Sequence, residues 1–306
     1  MPTMRAMRIH AWGEPPRLDE LPEPAPRPGR TLVRMAATTA SHLDRSIAAG
    51  GFLHHPPLPY VPGVEAAGTV LQSDSHPAGA RVWLRGAGLG TSEDGTWRET
   101  ISAPDAALGA LPDAIAMPLG AAFFSPCTAA WVSLFGVGAL RPGERVLVSG
   151  ASGAVGSIAV QLARAAGAHV AEARVVDGEV VVDAAGSEAG NEPAEFDLLI
   201  DAVGGPGLPA LLRRLVPGGR AVLVGYTAGK LVELDLAELM QRDLRLLPLN
   251  MLRREAEARA AAPDLLARLA DGRLQLALRT FPLVDAAKAM KWIAERGHRG
   301  RAVLVP

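Results

Sequence analysis

The chain contains one cysteine, Cys127, in 306 residues. A lone thiol excludes an intramolecular disulfide framework and any site built on two or more thiolates, so a reducing compartment, the cytoplasm, is expected. Lysine is nearly missing as well: only Lys230, Lys288 and Lys291 are present, an imbalance that reads as coding bias and not as physical adaptation. There is no excess of either charge. With 31 basic and 32 acidic residues spread along the length, no basic patch offers itself to phosphates, and nucleic acid is not an expected partner. Long apolar runs are absent too. The longest, "AIAMPLGAAFF" at 114–124, is too short to span a bilayer and is broken by Pro118, and "MPTMRAMRIHAWGEPP" lacks the apolar centre of a secretion signal. No repeat or low-complexity segment appears.

What is present is the composition of a soluble globular protein, 49% hydrophobic and 21% charged, long enough for two domains with separate cores. The first 110 or so residues are rich in Pro and Gly and carry short apolar runs, "RTLVRMAAT" (30–38), "EAAGTVLQ" (65–72) and "ARVWLRG" (80–86). They read as antiparallel strands in a loop-rich β domain. From about Met117 the pattern becomes strand, glycine loop, helix, strand, the alternation of a parallel sheet with crossover helices. Residues 252–271 read as a helix interrupted or kinked at Pro263. The last thirty or so residues give a strand, a helix and a final strand.

The strongest local pattern is "RVLVSGASGAVGSIAVQLARAAGAHV" (145–170). An apolar strand leads to Gly150, Gly153 and Gly156, then to a helix with apolar residues at helical spacing, then to a second strand. Glycines let the backbone approach a pyrophosphate, and the helix start supplies unpaired N–H groups and the positive end of a dipole. Further on, "FDLLIDAVGG" (196–205) reads as a buried strand, "LPALLRRLVPGG" as a helix with a proline-glycine stop, and "RAVLVGYTAG" as the next strand. Ligands bind outside the carboxyl ends of such strands, which places Val203, Gly204, Gly225 and Tyr226 near the nicotinamide half of a dinucleotide.

Between these segments the chain is short. Gly167 to Gly204 is 38 residues, short against the lengths that crossover helices after both the second and third strands require. "ARVVDGEVVVDAAG" (173–186) instead reads as two strands folded about Asp177-Gly178, an antiparallel hairpin in place of a crossover helix.

Taken together these residues resemble a zinc-independent member of the medium-chain dehydrogenase/reductase superfamily, close to quinone oxidoreductases and to the enoyl reductases of polyketide synthases. The resemblance rests on "SHLDRSIAAG" (41–50), "VPGVEAAGTV" (61–70), "DGTWRETISAP" (94–104), "RPGERVLVSGASGAVGSIAVQLARAAGA" (141–168), "LVPGGRAVLVG" (215–225) and the closing "FPLVDAAKAM…GRAVLVP", in that order. It implies an α/β fold: a GroES-like β domain of residues 1–120 plus 272–306, and a Rossmann-type doubly wound parallel sheet of 121–271, shortened between its second and fourth strands. It further implies an active site between the domains, a homodimer paired through the Rossmann sheets, a small-molecule substrate and a place in secondary metabolism. No metal is implied. Zinc alcohol dehydrogenases carry ligands where this chain has Ser41, Val64 and Phe124, and a hydroxyl and two apolar side chains do not replace thiolates and imidazole. His42, His54 and His55 lie close in sequence but lack acidic or thiolate partners at ligand spacing. Quinone oxidoreductases usually have asparagine at the place of Ser41 and tyrosines near Ser46 and Phe52, so the pocket differs from theirs.

NADPH is the implied cofactor, weakened or lost if the hairpin has removed the adenosine wall. Its expected contacts are Thr128, Gly150, Ser152, Gly153, Ala154, Val155, Gly156, Arg174, Val203, Gly225 and Tyr226. Arg174 stands where NAD-preferring relatives place an acid, so it either meets the 2′-phosphate of NADPH or is a solvent-facing hairpin residue. Ser41, His42 and Asp44 are the candidate catalytic residues, with a helix cap as the competing role for Ser41 and Asp44. Three functions are compatible: reduction of an activated C=C bond, a non-redox cyclase or isomerase that no longer uses a cofactor, and a catalytically silent binding protein. Glu65, Glu99, Trp83, Trp97, Trp131 and Cys127 read as structural.

Overall fold

The structure is a computed structural model that describes residues 2–51, 55–176, 179–183, 195–295 and 299–306. In chain order it runs β1 (Thr3–Arg8), β2 (Arg17–Pro22), β3 (Arg30–Ala40), α1 (His42–Ala48), β4 (Glu65–Gln72), β5 (Arg81–Arg85), β6 (Thr100–Pro104), β7 (Leu108–Ala110), α2 (Met117–Ala122) and α3 (Phe124–Trp131). Then come β8 (Arg145–Ser149), α4 (Ala154–Ala165), β9 (His169–Val176), β10 (Glu179–Asp183), β11 (Phe196–Asp201), α5 (Leu208–Leu212), β12 (Leu215–Leu223), α6 (Leu236–Gln241), β13 (Arg245–Pro248) and α7 (Glu255–Ala270). The chain closes with β14 (Leu278–Pro282), α8 (Ala286–Ala294) and β15 (Arg301–Val305). These elements gather into two compact units, residues 1–124 with 276–306, and residues 125–275.

The first unit holds a sheet ordered β14-β15-β3-β4-β5-β7, with β6 also paired to β3. β3 is its axis because its side chains alternate toward the core along most of its length. The final strand lies antiparallel to β3, with Ala302 opposite Ala40, so the end of the chain completes the sheet begun near its start. α8 covers one side with Ala286, Ala289 and Ile293, packed against Met7, Trp97 and Leu304.

The second unit is a six-stranded sheet ordered β10-β9-β8-β11-β12-β13. All neighbours are parallel except β9 and β10. This is the doubly wound order with its third strand reversed. Val176 pairs with Glu179, so only two residues connect the strands and no crossover helix fits between them; Asp177 and Gly178 themselves lie outside the described residues, as do 184–194.

Two local readings need correction. Pro217-Gly218 does not end a helix: α5 stops at Leu212, and Pro217 to Gly219 lie in an irregular stretch of β12, where pairing with β11 jumps between Phe196/Leu215 and Leu198/Arg220. Of the two readings of Pro263 only the interruption is excluded, since Glu255–Ala270 is one element whose face of Ala258, Ala261, Ala262, Leu265, Leu266 and Leu269 is buried. That burial outweighs the lost backbone hydrogen bond.

Candidate functional site

In the second unit the carboxyl ends of β8, β11 and β12 carry the glycine turns. Gly150 adopts a left-handed φ of 68° that follows directly on β8, and Gly153 N–H donates back to the Gly150 carbonyl at 2.9 Å. A Cβ on Gly156 would run into that same carbonyl, so only glycine lets the first turn of α4 approach the loop this closely. Gly153 is the N-cap and offers no side chain, so none caps α4, and the first N–H groups of the helix have no intrahelical acceptor. Ser152, Ala154 and Val155 lie on the accessible side, whereas Gly156 is buried. These residues fit a phosphate-sized anion such as a dinucleotide's pyrophosphate.

The neighbouring turns are fastened by a residue outside the glycine pattern. Asp201, fully buried at the end of β11, accepts Val203 N–H at 3.1 Å and Gly204 N–H at 3.1 and 3.2 Å on its carboxylate, and the Ser149 hydroxyl as well. Its backbone carbonyl takes Val224 N–H at 2.8 Å and Gly225 N–H at 3.2 Å. Val203 therefore packs against Gly150, and Gly204 against Gly225 and Tyr226. Sequence reasoning missed Asp201, although an aspartate closing an apolar strand just before a glycine turn is a readable signal for such a cap.

Arg174 is exposed on β9, one residue beyond Ala173, which pairs with Ser149. It is thus level with the start of the glycine loop, on the same side of the strand as Glu172, which pairs with Arg164 of α4 at 3.3 Å. Thr128 is buried in α3, and Tyr226 is exposed with the Lys230 ammonium over its ring.

In the first unit Ser41 caps α1. Ser41 N–H donates to Asp44 Oδ2 at 2.8 Å, the Ser41 hydroxyl donates to the same oxygen at 2.5 Å, and Asp44 N–H returns to Ser41 Oγ at 3.3 Å. This is a capping box. Asp44 is nonetheless buried, and its Oδ1 has no hydrogen-bond partner. Burial pushes its carboxyl up to about 6, against the hydrogen bonds from Ser41 and the charge of Arg301, with Glu65 adding to the rise. Tyr60, also buried with its hydroxyl unpartnered, is pushed above the ordinary phenol range by burial and by the charge of Asp44. Arg301 and Glu65 form an ion pair, and Arg85 adds a looser contact to Glu65 at 4.0 Å. Ser41 is partly accessible and His42 exposed. Tyr60 and Arg301 were missed as neighbours of Asp44, because they come from distant segments and no local pattern links them.

The positions that would hold zinc in this chain do not fit the ion. The Ser41 hydroxyl is committed to Asp44, while Val64 and Phe124 are buried apolar side chains, with Phe124 stacked on Trp83 at 4.7 Å. Among the described residues no group of three His, Cys, Asp or Glu could hold a metal.

A GroES-like unit and a doubly wound unit with a glycine cradle are the parts of a nicotinamide-type oxidoreductase, and comparison with known proteins agrees. The family model for an alcohol dehydrogenase GroES-like domain matches residues 27–113, and that for a zinc-binding dehydrogenase matches 166–304. The zinc-type alcohol dehydrogenase-like protein C337.11 of Schizosaccharomyces pombe is 30% identical over 260 residues, covering 81% of this chain and 79% of that protein. A phenolphthiocerol/phthiocerol polyketide synthase polypeptide of Mycobacterium tuberculosis is 29% identical over 95% of this chain, which spans only 14% of that protein. Among solved structures, the quinone oxidoreductase from Thermus thermophilus, solved alone and with NADPH, superposes with a TM-score of 0.77 at 28% identity, covering 99% of this chain and 100% of that one. The chain belongs to the medium-chain dehydrogenase/reductase superfamily and is an oxidoreductase.

Proposed function

We propose that the protein reduces an activated C=C bond, in an enone, enoyl thioester or quinone, using NADPH and no metal. The observation that carries this reading is the cradle of Gly150, Gly153 and Gly156 in front of an uncapped helix at the carboxyl ends of parallel strands. The N–H groups of the loop and of Ala154 and Val155 hold the pyrophosphate, and Val203, Gly225, Tyr226 and Thr128 border the nicotinamide half. Arg174 pairs with the 2′-phosphate, a charge-assisted contact that favours NADPH over NADH. Bound, the dihydronicotinamide supplies a hydride for the carbon β to the carbonyl. The carbonyl already polarises the alkene, so the protein need only orient it and stabilise the enolate, with Ser41 or His42 supplying that hydrogen bond or the proton.

The test is a calorimetric titration of the purified protein with NADPH and NADH, beside Gly153→Asp, which places a carboxylate where the pyrophosphate binds. The expected result is micromolar NADPH binding, weaker NADH binding and loss of both in the variant. Absence of binding at millimolar nucleotide rejects the reductase reading and favours a non-redox cyclase or isomerase, for which the hairpin at β9 and β10 is the supporting observation.

A second copy of the chain is the proposed partner. β13 is the last strand of its sheet, and Leu231, Leu236, Met240 and Leu252 in the flanking segments are 67–90% exposed, an apolar surface that association would cover. Met240→Glu is expected to shift the sedimenting species from dimer to monomer. A wild type that sediments as a monomer rejects the pairing.

A further inference from the structure

Asp44 is an unusual capping acid. An acid in the first turn of a helix normally stands in water, where it complements the helix dipole at little cost. Asp44 is 1% exposed, and only one of its two oxygens is engaged: Oδ2 takes both bonds from Ser41, while Oδ1 has no partner. The groups whose charge or polarity reaches it are Ser41, Tyr60, Glu65 and Arg301. Arg301 is paired with Glu65, its charge lowers the Asp44 carboxyl by less than burial raises it, and among the described residues the Tyr60 hydroxyl has no hydrogen-bond partner. An ionised carboxylate in that setting is costly, and the neutral acid is correspondingly favoured. Among the described residues the Ser41 hydroxyl, bonded to Oδ2 and itself partly accessible, joins Asp44 to the accessible side.

We propose that Ser41 and Asp44 form a proton relay, in which the protonation of Asp44 sets the direction of the Ser41 hydroxyl. With Asp44 ionised, the Ser41 O–H points at Oδ2 and presents only a lone pair outward. With Asp44 protonated, the acid O–H donates to Ser41 Oγ and the serine O–H turns outward as a donor. The relay rests on the reductase reading. Hydride addition at the β carbon leaves an enolate, which takes the Ser41 proton at its α carbon as Ser41 takes the Asp44 proton. The Asp44 O–H and the original Ser41 O–H break, while the α C–H and a new Ser41 O–H form. Asp44 is left as carboxylate. Once product has gone, solvent water at the partly accessible Ser41 returns the proton by the reverse path. Asp44 is thus a positioning and proton-storing residue acting through Ser41.

Two measurements test this. Carbon-13 NMR of protein labelled at the aspartate carboxyl carbons, without nucleotide, follows Asp44 from pH 4 to 8, assigned by the signal missing in Asp44→Asn. NADPH-dependent reduction of 2-cyclohexen-1-one is measured from pH 5 to 9 for wild type, Asp44→Asn and Ser41→Ala, with circular dichroism confirming that each variant is folded. The relay predicts a carboxyl titrating near 6, wild-type kcat falling about tenfold per pH unit above it, a flat profile in Asp44→Asn, and loss of about tenfold or more in Ser41→Ala at pH 6. Turnover with the same pH profile in wild type and Asp44→Asn, or an Asp44 carboxyl that titrates in the ordinary range, overturns it. If no enone is reduced at any pH, the reductase reading fails, and NMR of protein labelled also at the serine Cβ carbons decides on the pair alone: a Ser41 Cβ shift, assigned by its loss in Ser41→Ala, that follows Asp44 near 6 supports the reversible hydroxyl, and its absence overturns it.

Discussion

Each unit has a serine bonded to a buried aspartate, Ser41–Asp44 in the first and Ser149–Asp201 in the second, and the two pairs do different work. At Ser149–Asp201 both carboxylate oxygens are engaged, by the serine hydroxyl and by the N–H groups of Val203 and Gly204. At Ser41–Asp44 one oxygen takes every bond and the other takes none. A buried charge is tolerated where the backbone surrounds it with donors and is costly where it does not. The pair with a full complement of donors is a fastening, which holds the glycine turns in register at the strand ends. The pair with an unengaged oxygen stays close to a change of protonation. Residue identity and burial of the acid are the same in both; satisfaction of the hydrogen bonds separates them.

The comparison can be broken by experiment, most forcefully at Asp201. Asp201→Ala strands two backbone N–H groups and the Ser149 hydroxyl, and is expected to cost about 4 kcal/mol. The loss should appear in thermal melts at pH 7, accompanied by loss of NADPH binding. A melt unchanged within about 1 kcal/mol would show that the carboxylate is not a fastening.

Asp44→Asn should behave oppositely. The folded carboxyl at about 6 lies above the unfolded 3.8, so the folded protein binds the extra proton between these values. The stability this provides is complete below about pH 3.8 and lost as pH rises through 6. The shift corresponds to a penalty on the order of 3 kcal/mol for the ionised form. Relative to wild type, Asp44→Asn should gain stability from pH 4 to pH 8, read by urea unfolding at each pH. A constant difference would reject the buried, destabilised charge.

Glu144 supplies the opposite sign in the second unit. Burial pushes it up, but hydrogen bonds from Arg220 and from Arg141 N–H, with the charges of both arginines, hold it below the usual carboxylate range. Its contribution is present above the unfolded carboxylate value and disappears as pH falls through the folded one. Arg220→Met should cost about 2 kcal/mol at pH 7 and progressively less as pH falls through the folded carboxyl value of Glu144, where the acid loses its charge. The smallest expected effect is that of Tyr60→Phe, which removes an unpartnered buried hydroxyl and should leave stability unchanged or raised by up to about 1 kcal/mol. A loss above that would mean the hydroxyl is engaged by ordered water.

Much of this architecture is legible in the sequence because its determinants are local. The run "EAAGTVLQ" coincides with β4 (Glu65–Gln72), and the residues about Asp177-Gly178 flank a two-residue hairpin because β-branched strands on either side of that turn admit little else. The glycine cradle reads well since each glycine has a separate steric reason. Pro217 misleads as a helix stop and Pro263 does not interrupt its helix, because tertiary pairing and burial override the local preference of proline. The pairing of Ser41 with Asp44 is visible as a cap, being three residues apart. The state of Asp44 is not, because it depends on Tyr60, Glu65 and Arg301, which only the folded sheet brings near.

The measurement that bears most directly on the central claim is isotope tracing. Protein is incubated with 2-cyclohexen-1-one and NADPH deuterated at the transferable C4 position, and the saturated ketone is analysed by NMR. Reduction of an activated alkene predicts one deuterium at the β carbon of the product, and a second at the α carbon when the reaction is run in heavy water. A product without deuterium at the β carbon, or no saturated ketone from any enone offered while NADPH fails to bind, would contradict the account.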